Sequence, residues 1–129
     1  MTGRVRVSSG GPWEERVGYS RAVRVGDRIW LSGCTGTLAD GSVVDGIEAQ
    51  TRLALDVASG ALTEVGATLA DAVVVRLYLI DFAEFESIHS VLRAQFGDAR
   101  PAMTAVQVAA LIDARHRIEI EIEAVVGSA

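Results

Sequence analysis

Cysteine is almost missing from this 129-residue sequence: Cys34 stands alone, so no disulfide can close within the chain. A single thiol suits a reducing compartment, and the expected location is the cytoplasm. Aromatic residues are scarce as well, at 5%, although half of all residues are hydrophobic. Core volume must therefore come from Val, Leu, Ile and Ala. Long apolar runs are also lacking. The longest are strand-length, far below the ~20 residues of a membrane-spanning helix. The opening MTGRVRVSSGG carries no apolar segment of the kind a secretory signal needs. No membrane partner is expected.

Positive charge is in short supply. The net charge is −5 and the arginines form no run. That excludes the basic footprint on which binding to nucleic-acid phosphates depends. Arg4, Arg6, Arg16, Arg21, Arg24 and Arg28 do enrich the first quarter, and they read as a solvated strand surface. His89 and His116 are the only histidines, without metal-ligand spacing, and read as surface or rim residues. No metal or cofactor is expected. The glycines match no phosphate-cradling pattern, and no motif frames a catalytic triad. Cys34, after Ser32 and Gly33 at a strand end, reads as a buried or inert thiol.

What is present indicates one folded domain over residues 1–129, long enough to bury roughly two-thirds of its unfolded surface. Val5 and Val7 alternate with polar neighbours as a weak first strand. Gly10, Gly11 and Pro12 then break the chain. Tyr19–Val25 and Arg28–Gly33 read as strands joined by a Gly26–Asp27 turn. Leu38–Val44 reads as a loop or short hairpin. Ile47–Val65 is a helix with Ala54, Ala58, Ala61, Leu62 and Val65 on one stripe, and Gly66 follows as its terminator. Gly60 inside that helix costs up to ~1 kcal/mol against Ala, which points to a close neighbour.

Ala72–Ile80 is an apolar strand with Val75, Leu77 and Leu79 on one face and Val74, Arg76 and Tyr78 on the other. Asp81 can cap the next helix, Glu84 can complete a capping box, and Ile80 and Phe85 can form a hydrophobic staple. That helix continues through Ile88, Leu92 and Phe96 to Gly97. Strands are expected at Ala102–Leu111 and Ile118–Val126. The fold class is α+β, a two-layer sandwich of a mixed sheet with two helices on one face. The other face must be polar, or be buried by another subunit.

The last strand alternates strictly, sending Ile118, Ile120 and Ile122 to the core and Glu119, Glu121 and Glu123 to the opposite face. Three carboxylates spaced ~7 Å apart need facing cations, and Arg76 is a candidate partner. The ladder reads either as a solvated outer face or as a surface on which one glutamate lines a cleft as an acid/base group.

The chain resembles the RidA/YjgF family, also called endoribonuclease L-PSP. The resemblance is carried by Gly18-Tyr19-Ser20, Trp30-Leu31-Ser32-Gly33, Gln50 with Leu55, and Val75-Arg76-Leu77-Tyr78-Leu79 with Asp81 and Phe85. Arg100-Pro101-Ala102, Val106-Gln107-Val108-Ala109-Ala110-Leu111 and Ile118-Glu119-Ile120-Glu121 complete it. The resemblance implies a chorismate-mutase-like sandwich and a homotrimer with small-molecule ligands in clefts between subunits. Active members hydrolyse enamines and imines, releasing ammonia and a 2-keto acid. It also implies catalytic roles for Tyr19 and for Glu119, with Glu121 as the alternative glutamate. Gly33 would line the pocket between Ser32 and Cys34. His89 stands where many members have asparagine, and Met103 and Ala105 complete the cleft. One family feature is absent: the substrate-clamping arginine of a Pro-Ala-Arg motif is Met103 here, which has neither charge nor donor.

Two functions follow: an arginine-less RidA-like hydrolase of a less anionic imine- or carbonyl-bearing metabolite, or a non-catalytic small-molecule-binding or regulatory trimer. A ribonuclease role is disfavoured by the charge. The trimer is directly testable, since closed symmetric assemblies are the common way to bury an uncovered sheet face. Light scattering after size exclusion should return three chain masses, and one chain mass at micromolar concentration would exclude it.

Overall fold

The computed structural model describes residues 3–129. Nine elements form in the order β1 (Arg4–Val7), α1 (Pro12–Val17), β2 (Ala22–Val25), β3 (Arg28–Leu31), α2 (Ile47–Glu64), β4 (Ala72–Leu79), α3 (His89–Phe96), β5 (Ala102–Gln107) and β6 (Ile118–Val125). The six strands make one mixed sheet, ordered β1-β2-β3-β6-β4-β5. β4 and β5 run parallel and every other neighbouring pair is antiparallel. The architecture is the expected α+β sandwich.

α2 and α3 lie against the apolar side of this sheet. Ile118, Ile120 and Ile122 of β6 and Val75, Leu77 and Leu79 of β4 are fully buried, in one cluster with Ala54, Ala58 and Leu62 of α2 and Leu92 and Phe96 of α3. Aliphatic side chains supply nearly all of this cluster, as the low aromatic content requires. No helix among the described residues is long and apolar enough to cross a membrane.

Several local expectations are corrected. Gly11–Pro12 starts a helix rather than only breaking a strand. Pro12 occupies the first helical turn, where its missing N–H needs no partner. Gly18, at φ 92°, closes the helix by donating its N–H to the Glu14 carbonyl. Asp81 does cap, accepting from the Ala83 N–H at 2.9 Å. Glu84 does not complete a box, because its carboxylate binds the Arg117 guanidinium instead. The chain consequently winds through two 3-10 turns, Phe82–Glu84 and Glu86–Ile88, before α3 begins at His89. The capping box forms elsewhere, between Thr68 and Asp71. β2 begins at Ala22 rather than Tyr19, and β5 ends at Gln107 rather than Leu111.

Gly60 has no close neighbour: nothing lies within 4 Å of a Cβ placed on it. Its position is helical and exposed, so the glycine only adds freedom to the unfolded chain. Gly60→Ala should therefore stabilise the fold by about 0.5–1 kcal/mol. Chemical denaturation would show this as a higher midpoint at unchanged slope, and an unchanged or lower midpoint would contradict it.

Candidate functional site

The outer face of β6 sorts its three carboxylates by what each meets. Arg76 on β4 donates to Glu123 at 2.7 Å and stands 3.9 Å from Glu121. Tyr78 donates its hydroxyl to Glu121 at 2.6 Å, which raises the phenol's pKa. Arg76 is thus the cation expected opposite the ladder, but it serves only the two glutamates nearest the strand's end. Among the described residues, Glu119 has no ion pair within reach. It turns instead toward a cavity of about 670 Å³ beside the ends of β3 and β6.

That cavity gathers Tyr19, Arg21, Gly33, Cys34, His116 and Glu119 from three distant stretches of one chain. Gly33 is its floor beneath Glu119: a Cβ there would lie 2.5 Å from Oε1 and 2.7 Å from the carboxyl carbon. Only glycine lets the carboxylate settle so close to the backbone. Burial pushes the Glu119 carboxyl above its ordinary value; the nearby Arg21 charge opposes this and Glu121 reinforces it. Of the two candidate glutamates, Glu119 lines the cavity, while Glu121 is engaged with Tyr78 and is not part of the cavity wall.

Arg21 corrects the reading of the N-terminal arginines as a solvated surface. Its Nη1 donates to the carbonyls of Ser32 at 3.0 Å and Gly33 at 2.6 Å, and lies 3.6 Å from the Cys34 sulfur. It therefore clamps the turn on which Glu119 rests. Its Nε is buried without a partner. The signal in the sequence is modest: in the expected Tyr19–Val25 strand Tyr19 and Arg21 share a face. In the structure, where β2 begins only at Ala22, the Arg21 guanidinium still stands 6.0 Å from the Tyr19 ring centroid. Arg24 also folds back, donating to the carbonyls of Gly26 and Val65.

His116 is likewise corrected from rim to interior, at 5% exposure. Gln50 accounts for its placement. The buried amide donates to the carbonyls of Val44 and Arg115 and accepts from the Arg117 N–H, so the residues on both sides of His116 are pinned to α2. Cys34 is buried as expected, and burial raises its thiol pKa, which leaves it a poor nucleophile.

The remaining site candidates do not join this cavity within one chain. Ser32 turns its hydroxyl to the Ser20 carbonyl at 2.7 Å. His89 packs edge-on against the Phe85 ring, with centroids 4.7 Å apart. Met103 and Ala105 stand beside Val75 and Leu77 in the β4–β5 register, hence on the helix-covered face, while Glu119 stands beside Tyr78 on the other. The raised pKa of Glu119 thus comes from its own chain's cavity and not from those two side chains. Among the described residues, no group of three or more His, Cys, Asp or Glu side chains is placed to hold a metal ion.

The burial of Glu119 has a thermodynamic consequence. Its carboxyl holds a proton more tightly folded than unfolded, so its contribution to stability is favourable below the ordinary carboxylate range. That contribution is lost as pH rises through the raised value. Glu119→Gln removes the ionisation. It should raise the melting temperature at pH 7, with the gain shrinking toward zero near pH 3.5. A variant less stable than the native chain at pH 7 would show that the carboxylate is well compensated.

Residues 13–126 match the family model described as Endoribonuclease L-PSP. A 2-iminobutanoate/2-iminopropanoate deaminase from Dermatophagoides farinae is 32% identical over 105 residues, covering 80% of this chain and 81% of that protein. A solved structure from Mycobacterium tuberculosis, of the YjgF/YER057c/UK114 family, matches with a TM-score of 0.89 at 43% identity, over 96% of this chain and 100% of that one. RidA from an Antarctic Psychrobacter matches with a TM-score of 0.81 at 28% identity, over 94% of each chain. With sequence and sheet both matched over nearly the whole chain, the protein belongs to the RidA/YjgF family.

Proposed function

We propose that this protein hydrolyses a small imine or enamine, releasing ammonia and the corresponding carbonyl compound, with Glu119 as the acid/base group. The observation that carries the reading is Glu119 itself: a carboxyl without an ion pair, seated on Gly33, with its pKa raised by burial, in a cavity that also holds Tyr19 and Arg21. A group tuned toward neutral pH is what proton transfer at physiological pH requires. Water adds to the imine carbon while Glu119 takes one of its protons. The resulting carbinolamine nitrogen is protonated and leaves as ammonia, and the C=O bond forms as the remaining hydroxyl proton departs. Water and imine thus become ammonia and carbonyl, with no redox partner.

The names of relatives support the reaction class, since the Dermatophagoides protein and a mouse protein are both called 2-iminobutanoate/2-iminopropanoate deaminase. The substrate here is proposed to be less anionic than a 2-imino acid, because Met103, brought to the cavity by a neighbouring subunit in the proposed trimer, offers no guanidinium for a carboxylate. A homotrimer is proposed as the working assembly. Trp30 on the open face and Met103 on the edge strand β5 are exposed and supply apolar surface that neighbouring subunits would cover. The second reading is a non-catalytic small-molecule-binding protein. It is favoured by Met103 and by the use of Arg21 Nη1 on two backbone carbonyls.

Ammonia release from an enamine generated in situ separates the two. Hydrolysis of 2-iminobutanoate should be slow, and Met103→Arg, reaching the ligand from a neighbouring subunit of the proposed trimer, should accelerate it by about 30- to 1,000-fold through a charge-assisted bidentate contact. Turnover of the native chain on its best imine should fall at least ~100-fold in Glu119→Gln. If Glu119→Gln leaves turnover unchanged while ligands still bind, the binding-protein reading replaces the hydrolase.

A further inference from the structure

A second group of polar side chains lines the same cavity. The hydroxyl oxygens of Thr35 and Thr37 lie 2.8 Å apart, and the Thr37 oxygen lies 2.9 Å from Nε2 of His116. All three residues belong to the cavity wall. The threonines sit on the strand-like stretch beyond β3, whose Cys34 pairs with Ile120 of β6. His116 is held in place from α2 through Gln50. The chain therefore spans two separately anchored segments.

Its direction follows from the far side of the imidazole. Nδ1 of His116 is buried and has no hydrogen-bond partner among the described residues. Asp113, three residues before it, is occupied by Arg115 at 2.8 and 2.9 Å. Burial also lowers the His116 pKa, favouring the neutral ring. A neutral imidazole carries one proton. Placing it on Nδ1 would bury an unpaired N–H, which folded proteins avoid more strictly than an unpaired acceptor. The proton belongs on Nε2, which then donates to Thr37. The Thr37 hydroxyl hydrogen is left to donate to Thr35. The Thr35 hydroxyl, already an acceptor from Thr37, has no further partner among the described residues, so its own hydrogen is free to point into the cavity.

We propose that Thr35 is a specificity-determining donor that recognises a carbonyl or carboxylate oxygen of the ligand, oriented by Thr37 and His116 as positioning residues. This rests on the reading of the cavity as the ligand site and adds to it the chemical class that the site selects. Ligands presenting an oxygen acceptor to this wall pair with Thr35. Ligands presenting only donors or hydrocarbon leave its hydrogen unpaired.

The test has a spectroscopic and a binding arm. In ¹⁵N-labelled native protein at pH 7, long-range imidazole NMR should show His116 with an unprotonated Nδ1 and a protonated Nε2. A proton on Nδ1, or on both nitrogens, overturns the proposed direction. Thr37→Val should weaken the tautomer preference while Thr35→Val leaves it intact, and the reverse result also overturns it. In the second arm, 2-oxobutanoate and uncharged butyramide are titrated into each protein. Thr35→Val should weaken binding of whichever probe binds by about 3- to 10-fold, the value of one neutral hydrogen bond, and Thr35→Ser should restore it. Equal affinity in native and Thr35→Val proteins, or no binding of either probe, removes the donor role. Binding of butyramide alone, with the same dependence on Thr35, upholds the donor and rejects a 2-oxo acid as product.

Discussion

Strand β6 is the constraint on which the rest of the molecule depends. It lies between β3 and β4 in the sheet, pairing with β4 from Ile118 to Ala124 and with β3 from Glu123 to Val125, and each of its residues faces either the helix layer or the open face. Its strict alternation gives the isoleucines to the helices and the glutamates to the other face. A slip of one residue would bury three carboxylates and expose three isoleucines, so the register is held by the hydrophobic effect acting on the whole strand. Once it is held, the cross-strand neighbours decide what each glutamate becomes. Arg76 and Tyr78 take two of them, and the third faces Gly33.

The cavity is a place where the protein tolerates unfavourable polar burial. Glu119 is partly desolvated with its nearest cation tied up on backbone carbonyls. Arg21 Nε and His116 Nδ1 are the buried side-chain atoms without partners among the described residues, and both residues line this one cavity. Buried polar groups are ordinarily satisfied, so such atoms gathered at one site mark where selection has favoured something other than stability. Arg76, Tyr78, Glu121 and Glu123 on the outer face of β4 and β6 are the contrast: they are paired, and they read as structure.

Rigidity around the cavity comes from neutral contacts more than from charge. Gln50 joins α2 to both backbone neighbours of His116, and Gly36 packs so closely on Gln50 that a Cβ there would lie 2.6 Å from its Cα. Arg21 ties the end of β3 to the segment before β2. The cavity wall is thus built from loop residues fixed by a buried amide and a guanidinium, on a scaffold whose strands supply only Glu119.

The period-two and helical patterns were enough to set the α+β class, the long helix, the apolar strand and the face on which the glutamates stand, because each depends only on residues close in sequence. The resemblance added the glutamate, the tyrosine and the glycine that the fold does bring together. What tertiary structure alone decided was partnership. Glu84 could cap its own helix or bind Arg117, and the ion pair prevailed. Arg21 and His116 looked like surface groups because nothing adjacent to them shows that Gly33 and Gln50, from elsewhere in the chain, fold over them. Met103 and Glu119 are expected in a cleft between subunits, and within one chain the β4–β5 register puts them on opposite sides of the sheet. Alternation and periodicity are local and can be read in one dimension. Which desolvated groups meet depends on how β3, β4, β5 and β6 are ordered and registered, and that is settled only when the apolar faces are buried together.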